Sequence, residues 1–267
     1  MKKQPIGIFD SGVGGLTVFK EIRCQFPWEN IVYFGDTARV PYGPKSRGTV
    51  IEYSIQNARF LIQCGAKLIV VACNTSSSVA LETLSQNISV PVLGVINPGA
   101  ETAVKTTRNG KIGIIGTEGT IRSNAYTDAI SKLDKNVQVF STACPLFVSL
   151  AEEGWEDHPV TKLVIEEYLT PLLKKEIDTL VLGCTHYPIL KKAIQNFVGN
   201  DIKLVDSAQA VTEELKSILD ESETSPTGND EFYVSDNEDK FHKIATRILD
   251  KNVESLLKVK LGESWYI

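Results

Sequence analysis

The feature that most limits how this chain can fold is an internal repeat. The stretch L-I-V-V-A-C-N-T (68–75) returns as T-L-V-L-G-C-T-H (179–186), in each case an apolar run, a cysteine and a polar turn. Cys73 and Cys184 hold the same place in the two copies, 111 positions apart. Ile6-Gly7-Ile8 likewise matches Ile112-Gly113-Ile114, and Asn30-Ile31 with Phe34 matches Asn136-Val137 with Phe140, all at an offset of 106. The change of offset is a five-residue insertion that a loop absorbs. A chain built this way is predicted to form two similar α/β halves with four strands each.

The rest of the pattern agrees. Strands are expected at Ile6–Phe9, Ile31–Phe34, Leu68–Ala72, Val92–Val95, Ile112–Ile115, Val137–Phe140, Leu180–Gly183 and Ile202–Val205. Most are continuous apolar runs, as strands covered on both faces are. The clearest helix spans Ser46–Cys64. Ser46 is its N-cap, Val50, Ile51, Ser54, Ile55, Ala58, Leu61 and Ile62 mark one face, and Gly65 closes it. Strands alternating with helices make parallel, doubly wound sheets with right-handed crossovers. The expected fold is therefore α/β, with two pseudo-symmetric parallel-sheet domains. Glu221–Glu231 is polar and rich in breakers, which reads as a surface loop. Beyond it Phe241, Ile244, Ala245, Ile248 and Leu249 recur at the spacing of an amphipathic helix.

Composition narrows the chemistry. The formal charge is −5 and no Lys/Arg run occurs, which argues against a nucleic-acid partner. No apolar run approaches the roughly 20 residues of a membrane span. Lys2 and Lys3 precede only a short apolar stretch broken at Asp10, unlike an export signal. A cytoplasmic protein is expected, in which the five cysteines stay reduced. Their odd count and the lack of a C-x-x-C pair speak against a disulfide framework and a structural zinc.

In open parallel sheets ligands bind beyond the carboxyl ends of the strands. The turns expected there are 10–15, 35–43, 73–78 and 184–188, all rich in small and polar residues. The glycine turn has Thr17 where a dinucleotide fingerprint has its last glycine, and it lacks the Lys-Ser/Thr of a P-loop. Its N–H groups suit a carboxylate as well as a phosphate. A lone cysteine most often fills space, the role expected of Cys24, Cys64 and Cys144. Cys73 and Cys184 differ: each ends a strand, beside a helix N-terminus whose dipole lowers a thiol pKa. A matched pair points to two thiols facing one substrate. One takes a proton from one face of a carbon and the other returns a proton to the opposite face, without cofactor or metal. His186 can trade a proton with Cys184. Asp10 either serves Cys73 and a substrate ammonium or caps the following helix. Glu152 and Glu153 read most simply as a solvated face, with a role near Cys184 as the sharper alternative.

The blocks G-I-F-D-S-G-V-G-G-L-T-V (7–18), Y-F-G-D-T-A-R-V-P-Y-G (33–43), V-A-C-N-T-S-S-S (71–78) and L-G-C-T-H-Y-P-I-L (182–190) resemble those of the glutamate racemases in the aspartate/glutamate racemase superfamily. The resemblance covers nearly the whole chain. It implies a cytoplasmic, cofactor-independent enzyme, commonly a homodimer, that interconverts L- and D-glutamate for peptidoglycan. Cys73 and Cys184 would be catalytic, with Asp10, His186 and Glu152 as auxiliary acid/base groups. Substrate contacts would come from Asp10 and Ser11, from Pro41, Tyr42 and Gly43, and from Asn74, Thr75, Thr185 and His186. The resemblance also implies a division into 1–97 plus 208–267, with Cys73, and 98–207, with Cys184, the active site lying between them. Some members carry an N-terminal extension and need a cell-wall precursor as activator. With the first strand expected at Ile6, activity without that activator is expected here.

On the residues alone two other readings stay open. One is a hydrolase or amidase with Cys184 as nucleophile and His186 as base, which leaves Cys73 without a task. The other is a two-lobed binding module for a small anion, which predicts glutamate binding without turnover.

Overall fold

The computed structural model describes residues 4–219 and 227–261. Its strands are β1 (Ile6–Asp10), β2 (Ile31–Gly35), β3 (Leu68–Val71), β4 (Val92–Gly94), β5 (Lys111–Gly116), β6 (Gln138–Ala143), β7 (Thr179–Gly183), β8 (Lys203–Asp206), β9 (Asp230–Val234) and β10 (Leu256–Lys258). They form two wholly parallel sheets, ordered β10-β9-β2-β1-β3-β4 and β6-β5-β7-β8. All eight expected strands are present, and no end moves by more than three residues. β1, β2, β3 and β7 are buried along their whole length, which is why they read as continuous apolar runs.

The repeat is visible in the strand order, since β2-β1-β3-β4 and β6-β5-β7-β8 are the same arrangement. It is visible in register too. Ile6 pairs with Leu68 and Ile112 with Thr179, the partners that the two offsets require. One match is corrected. Ile6 faces Ile31, but Ile112 faces Val139, not Val137. β6 is an edge strand with no buried residue, so burial scarcely fixes its register. A two-residue slip also keeps the same side chains on the same face.

β9 and β10 extend the first sheet and were not anticipated. Residues 221–226 of the expected loop lie outside the described residues, but Asp230 and Glu231 open β9 and pair with Ile31 and Val32. Only Phe232 and Val234 of β9 are buried, and Leu257 of β10 is exposed. Such half-buried strands have weak apolar patterns, and pairing makes them strands: β9 pairs with β2, and β10, at the edge, pairs with β9.

The helical expectations hold. Ser46 accepts from the Thr49 N–H at 3.3 Å and caps the helix Arg47–Gln63, and Gly65 follows at φ +83°. The helix Glu238–Leu249 buries Phe241, Ile244, Ala245, Ile248 and Leu249 in the core of the first sheet, beside Leu16, Phe19 and Tyr33. Full burial of a large side chain of this kind stabilises by roughly 1.5–3 kcal/mol. Among the described residues no helix is long and apolar enough to cross a membrane.

Candidate active site

β1 and β3 lie side by side, with the Ala72 N–H donating to the Phe9 carbonyl at 3.0 Å, so Asp10 and Cys73 leave the sheet as neighbours. Cys73 is the N-cap of the helix Asn74–Asn87 and is 5% exposed. Its surroundings overturn the expectation of a lowered thiol pKa. Burial, and then the charge of Asp10, push it up to about 11, and the Ser76 N–H with the Ser11 and Ser76 hydroxyls does not reverse this. Burial also raises the pKa of Asp10, against the pull of His186, the Gly12 and Gly15 N–H groups and the Thr185 hydroxyl. The Gly12 N–H donates to Asp10 Oδ2 at 3.0 Å. Asp10 therefore organises its own turn, and Gly15 rather than Asp10 is the cap of the helix Leu16–Gln25.

Cys184 follows β7 and is also 5% exposed. No α-helix starts beside it. A 3-10 turn, Tyr187–Leu190, comes first, and the α-helix begins at Lys191, which corrects the expected helix dipole. The partner is instead His186, whose Nδ1 lies 3.9 Å from the Cys184 sulfur. On the other side of the ring, Nε2 lies 3.2 Å from Glu152 Oε1. Burial alone would lower the His186 pKa, but hydrogen bonds and charges from Cys184 and Glu152 outweigh it and raise it to about 10. Burial would raise the Glu152 pKa, but His186 and Lys240 bring it down to about 2. The pair is an imidazolium and a carboxylate. Glu152 and Glu153 part company here, Glu153 alone being exposed.

Several hydrogen bonds join the two corners. The Thr185 hydroxyl donates to Asp10 Oδ1 at 3.3 Å, and the Thr17 hydroxyl to the Thr185 carbonyl at 3.0 Å. The Tyr126 hydroxyl donates to Asn74 Oδ1 at 2.8 Å, and the Thr75 and Thr117 hydroxyls are 2.8 Å apart. Gly14 explains itself by contact: a Cβ there would stand 2.5 Å from both His186 Nδ1 and Thr185 Oγ1. The glycine turn makes room for the opposite half.

The remaining expected residues divide. Ser11 is buried, and its hydroxyl faces Cys73. Tyr42 packs with Val50 and Cys73, but its hydroxyl donates to the Asp36 carboxylate and accepts from Asn57 Nδ2 at 3.1 Å. Pro41 is exposed after a cis peptide bond, and Gly43 lies against Thr117. The Tyr42 carbonyl accepts from the Lys45 N–H at 3.0 Å. The Asn74 carboxamide is engaged by Tyr126 and, at 3.5 Å, by Ser207. Beside Thr75 and Gly119 a cavity of about 310 Å³ is edged by Lys45, Arg47 and Arg122, a basic surround for an approaching anion.

Three residues of interest escaped the sequence. The Ser76 hydroxyl is buried beside Cys73 with no oxygen or nitrogen partner among the described residues, and only its place in the S-S-S turn hinted at it. Tyr126 and Lys240 lie on helices far along the chain and had no local signal. Of the other cysteines, Cys144 is buried and Cys64 half-buried, but Cys24 is exposed and does not fill the core as expected. Among the described residues no three His, Cys, Asp or Glu side chains cluster as metal ligands would.

Twin parallel α/β lobes with a buried cysteine at matched strand ends define a narrow class of protein. Residues 31–215 match the Asp/Glu/Hydantoin racemase family. The chain is 51% identical over 265 residues to a glutamate racemase of Geobacter metallireducens, covering 98% of each. Its fold matches glutamate racemase isoform RacE1 of Bacillus anthracis with a TM-score of 0.92 and 42% identity, over 98% of this chain and 99% of that one. It matches glutamate racemase of Francisella tularensis, solved in complex with D-glutamate, with a TM-score of 0.91 and 39% identity, over 98% and 99% of the two chains. The chain belongs to the Asp/Glu/Hydantoin racemase family.

Proposed function

We propose that this protein interconverts L- and D-glutamate by moving the α-proton between two thiols, with no cofactor. One observation carries the reading. Buried cysteines end equivalent strands in the two halves, and Asp10 and Thr185 link their surroundings.

The direction is the one the family resemblance implies, and the difference between the corners supports it. The Cys184 sulfur lies 3.9 Å from His186 Nδ1, a proton-carrying group that supports Cys184 as the base toward L-glutamate. Cys73 lies in a buried corner where burial and the Asp10 charge raise its pKa, which supports it as the acid. The Cys184 sulfur takes the α-hydrogen, and the Cys73 S–H gives its proton to the opposite face of the carbanion. The product is D-glutamate, with thiol and thiolate exchanged. The reverse reaction, or proton exchange with solvent, restores the resting pair.

The carbanion needs donors aimed at its developing charge, each worth roughly 3–4 kcal/mol. The backbone N–H groups near Asn74, Thr75 and Thr185 supply them. Ser11 and the backbone at Tyr42 and Gly43 hold the distal carboxylate and set its reach. Pro41 shapes that turn, and His186 and Glu152 serve Cys184. The division into 1–97 plus 208–267 and 98–207 belongs to the same reading. It is supported by β9 and β10 in the first sheet and by Ala208, Val211 and Leu215 in that sheet's core. A homodimer in the cytoplasm, supplying D-glutamate to peptidoglycan, completes the proposal.

The test is incubation with L-glutamate in D2O without cofactor, followed by circular dichroism and α-proton NMR. Loss of optical activity with α-deuteration of the product is expected. Binding without exchange, or release of a hydrolysis product, would replace the racemase reading with one of its rivals.

A further inference from the structure

We infer that Lys240 is a positioning residue for proton transfer at Cys184, supplied by the half of the molecule that carries Cys73. The inference rests on the two-thiol reading above and extends it to a residue outside the substrate site.

The helix Glu238–Leu249 is anchored in the first sheet's core by Phe241, whose ring lies 6.0 Å from that of Tyr33, and by Ile244 and Ala245. Its polar edge meets the helix Leu146–Glu153 of the other half at two points. Lys240 Nζ donates to Glu152 Oε2 at 2.7 Å. Arg247 Nη2 donates to the Glu152 carbonyl at 3.2 Å and to the Ala151 carbonyl. Gly154, at φ +74°, lets the guanidinium in, because a Cβ there would stand 2.5 Å from Arg247 Nη1. Glu152 is thus held by its backbone and by one carboxylate oxygen. Its other oxygen reaches His186 Nε2 at 3.2 Å, and His186 Nδ1 faces the Cys184 sulfur.

This arrangement gives Lys240 two tasks. It stops the Glu152 carboxylate from swinging toward water, which fixes Oε1 on Nε2 and so fixes the imidazole. It also lowers the proton affinity of that carboxylate, so the ring keeps its Nε2 proton and presents Nδ1 to Cys184. No proton passes to Lys240, which acts only through Glu152. The side chain is 52% exposed, so solvent screens its charge and the effect is moderate.

The experiment compares the full-length protein with Lys240→Met, Lys240→Arg and, one turn along the exposed side of the same helix, Lys243→Met. Racemisation is followed in both directions with α-protonated and α-deuterated glutamate. The equilibrium constant between enantiomers is one, so kcat/KM falls equally in both directions. Direction is therefore read from isotope effects. In Lys240→Met, kcat is expected to drop roughly three- to tenfold, with little change in KM. The deuterium effect on L-glutamate, whose proton goes to Cys184, rises relative to that on D-glutamate. Lys240→Arg recovers most of the rate, and Lys243→Met behaves as the unsubstituted protein. Unchanged kcat in Lys240→Met would overturn the inference. So would a loss that Arg does not recover and that shifts both isotope effects alike, which marks a merely structural role. Failure of the unsubstituted protein to racemise glutamate would remove the underlying reading, and the first control shows it directly.

Discussion

Cys73 follows β3 and caps a 14-residue helix, whereas Cys184 follows β7 and enters a 3-10 turn. The strands are equivalent in order and register, and the thiols are equally buried. Their proton partners are not. Asp10 serves the Cys73 corner from the neighbouring strand, and the matching position at the end of β5 is Gly116. His186 serves the Cys184 corner, and Thr75 stands at its matching position in the other copy. The two halves repeat the backbone frame and the two cysteines, and the titratable groups around them differ. A reaction on a mirror-related pair of substrates needs opposed thiols. It does not need identical helpers, because each thiol only has to be an acid or base of suitable strength.

The sharpest way to break this comparison is to remove each sulfur in turn. Cys73→Ala and Cys184→Ala are each expected to lower the racemisation rate about ten-thousandfold with the fold retained. A variant of full activity would dissolve the two-base picture, and serine at either position keeps part of the rate, since a hydroxyl still donates a proton. Next come the helpers. Asp10→Asn and His186→Asn should each cost roughly several hundredfold, with opposite signatures. Asp10→Asn raises the deuterium effect on D-glutamate, and His186→Asn raises it on L-glutamate. Identical signatures would mean that the helpers do not belong to separate corners.

Gly14→Ala probes the place where the corners touch. Its methyl would displace His186 and Thr185, and an ångström of misplacement costs up to about a hundredfold in kcat. Gly48→Ala, with nothing within 4 Å, should leave kcat unchanged. Tyr42→Phe tests the support beneath the substrate turn. It leaves Asp36 short of a buried donor, so stability should fall by about 1–3 kcal/mol in denaturant titration, with kcat changed less than in the helper variants.

The smallest effect is on pH. His186 is raised above its ordinary value of about 6.5, so its contribution to stability is full below that pH. It is lost as pH rises through about 10. Glu152 lies below its ordinary value of about 4.3, so its contribution is full above that pH. It is lost as pH falls through about 2. The stability gap between the unsubstituted protein and Glu152→Gln should therefore be widest between about pH 4.3 and 6.5 and close toward pH 10. A gap that stays constant across that range would show that the pair is not ionised.

Much of this was legible beforehand, for identifiable reasons. Eight strands could be read because burial on both faces forces continuous apolar runs, and the terminal helix because its five apolar residues share one face. β9 and β10 could not, because strands this little buried draw their structure from the neighbour they pair with. In the site, Cys73, Cys184, Asp10 and His186 stood out because strand ends in a parallel sheet are where ligands bind. The residue pattern did not separate Glu152 from Glu153, which only the resemblance did, since both sit at the end of a short helix and only Glu152 turns toward His186.

The sequence by itself determined the duplicated frame, the matched pair of cysteines and the turns that surround them, because these are carried by local apolar pattern and by residues at strand ends. The tertiary structure alone decided that Glu152 rather than Glu153 meets His186. It also decided that Tyr42 is tied to Asp36, that Gly14 makes room for His186, and that Lys240 reaches Glu152 from the other half. Those depend on side chains meeting across more than 80 residues of chain in the last case, and no local pattern encodes a contact of that kind.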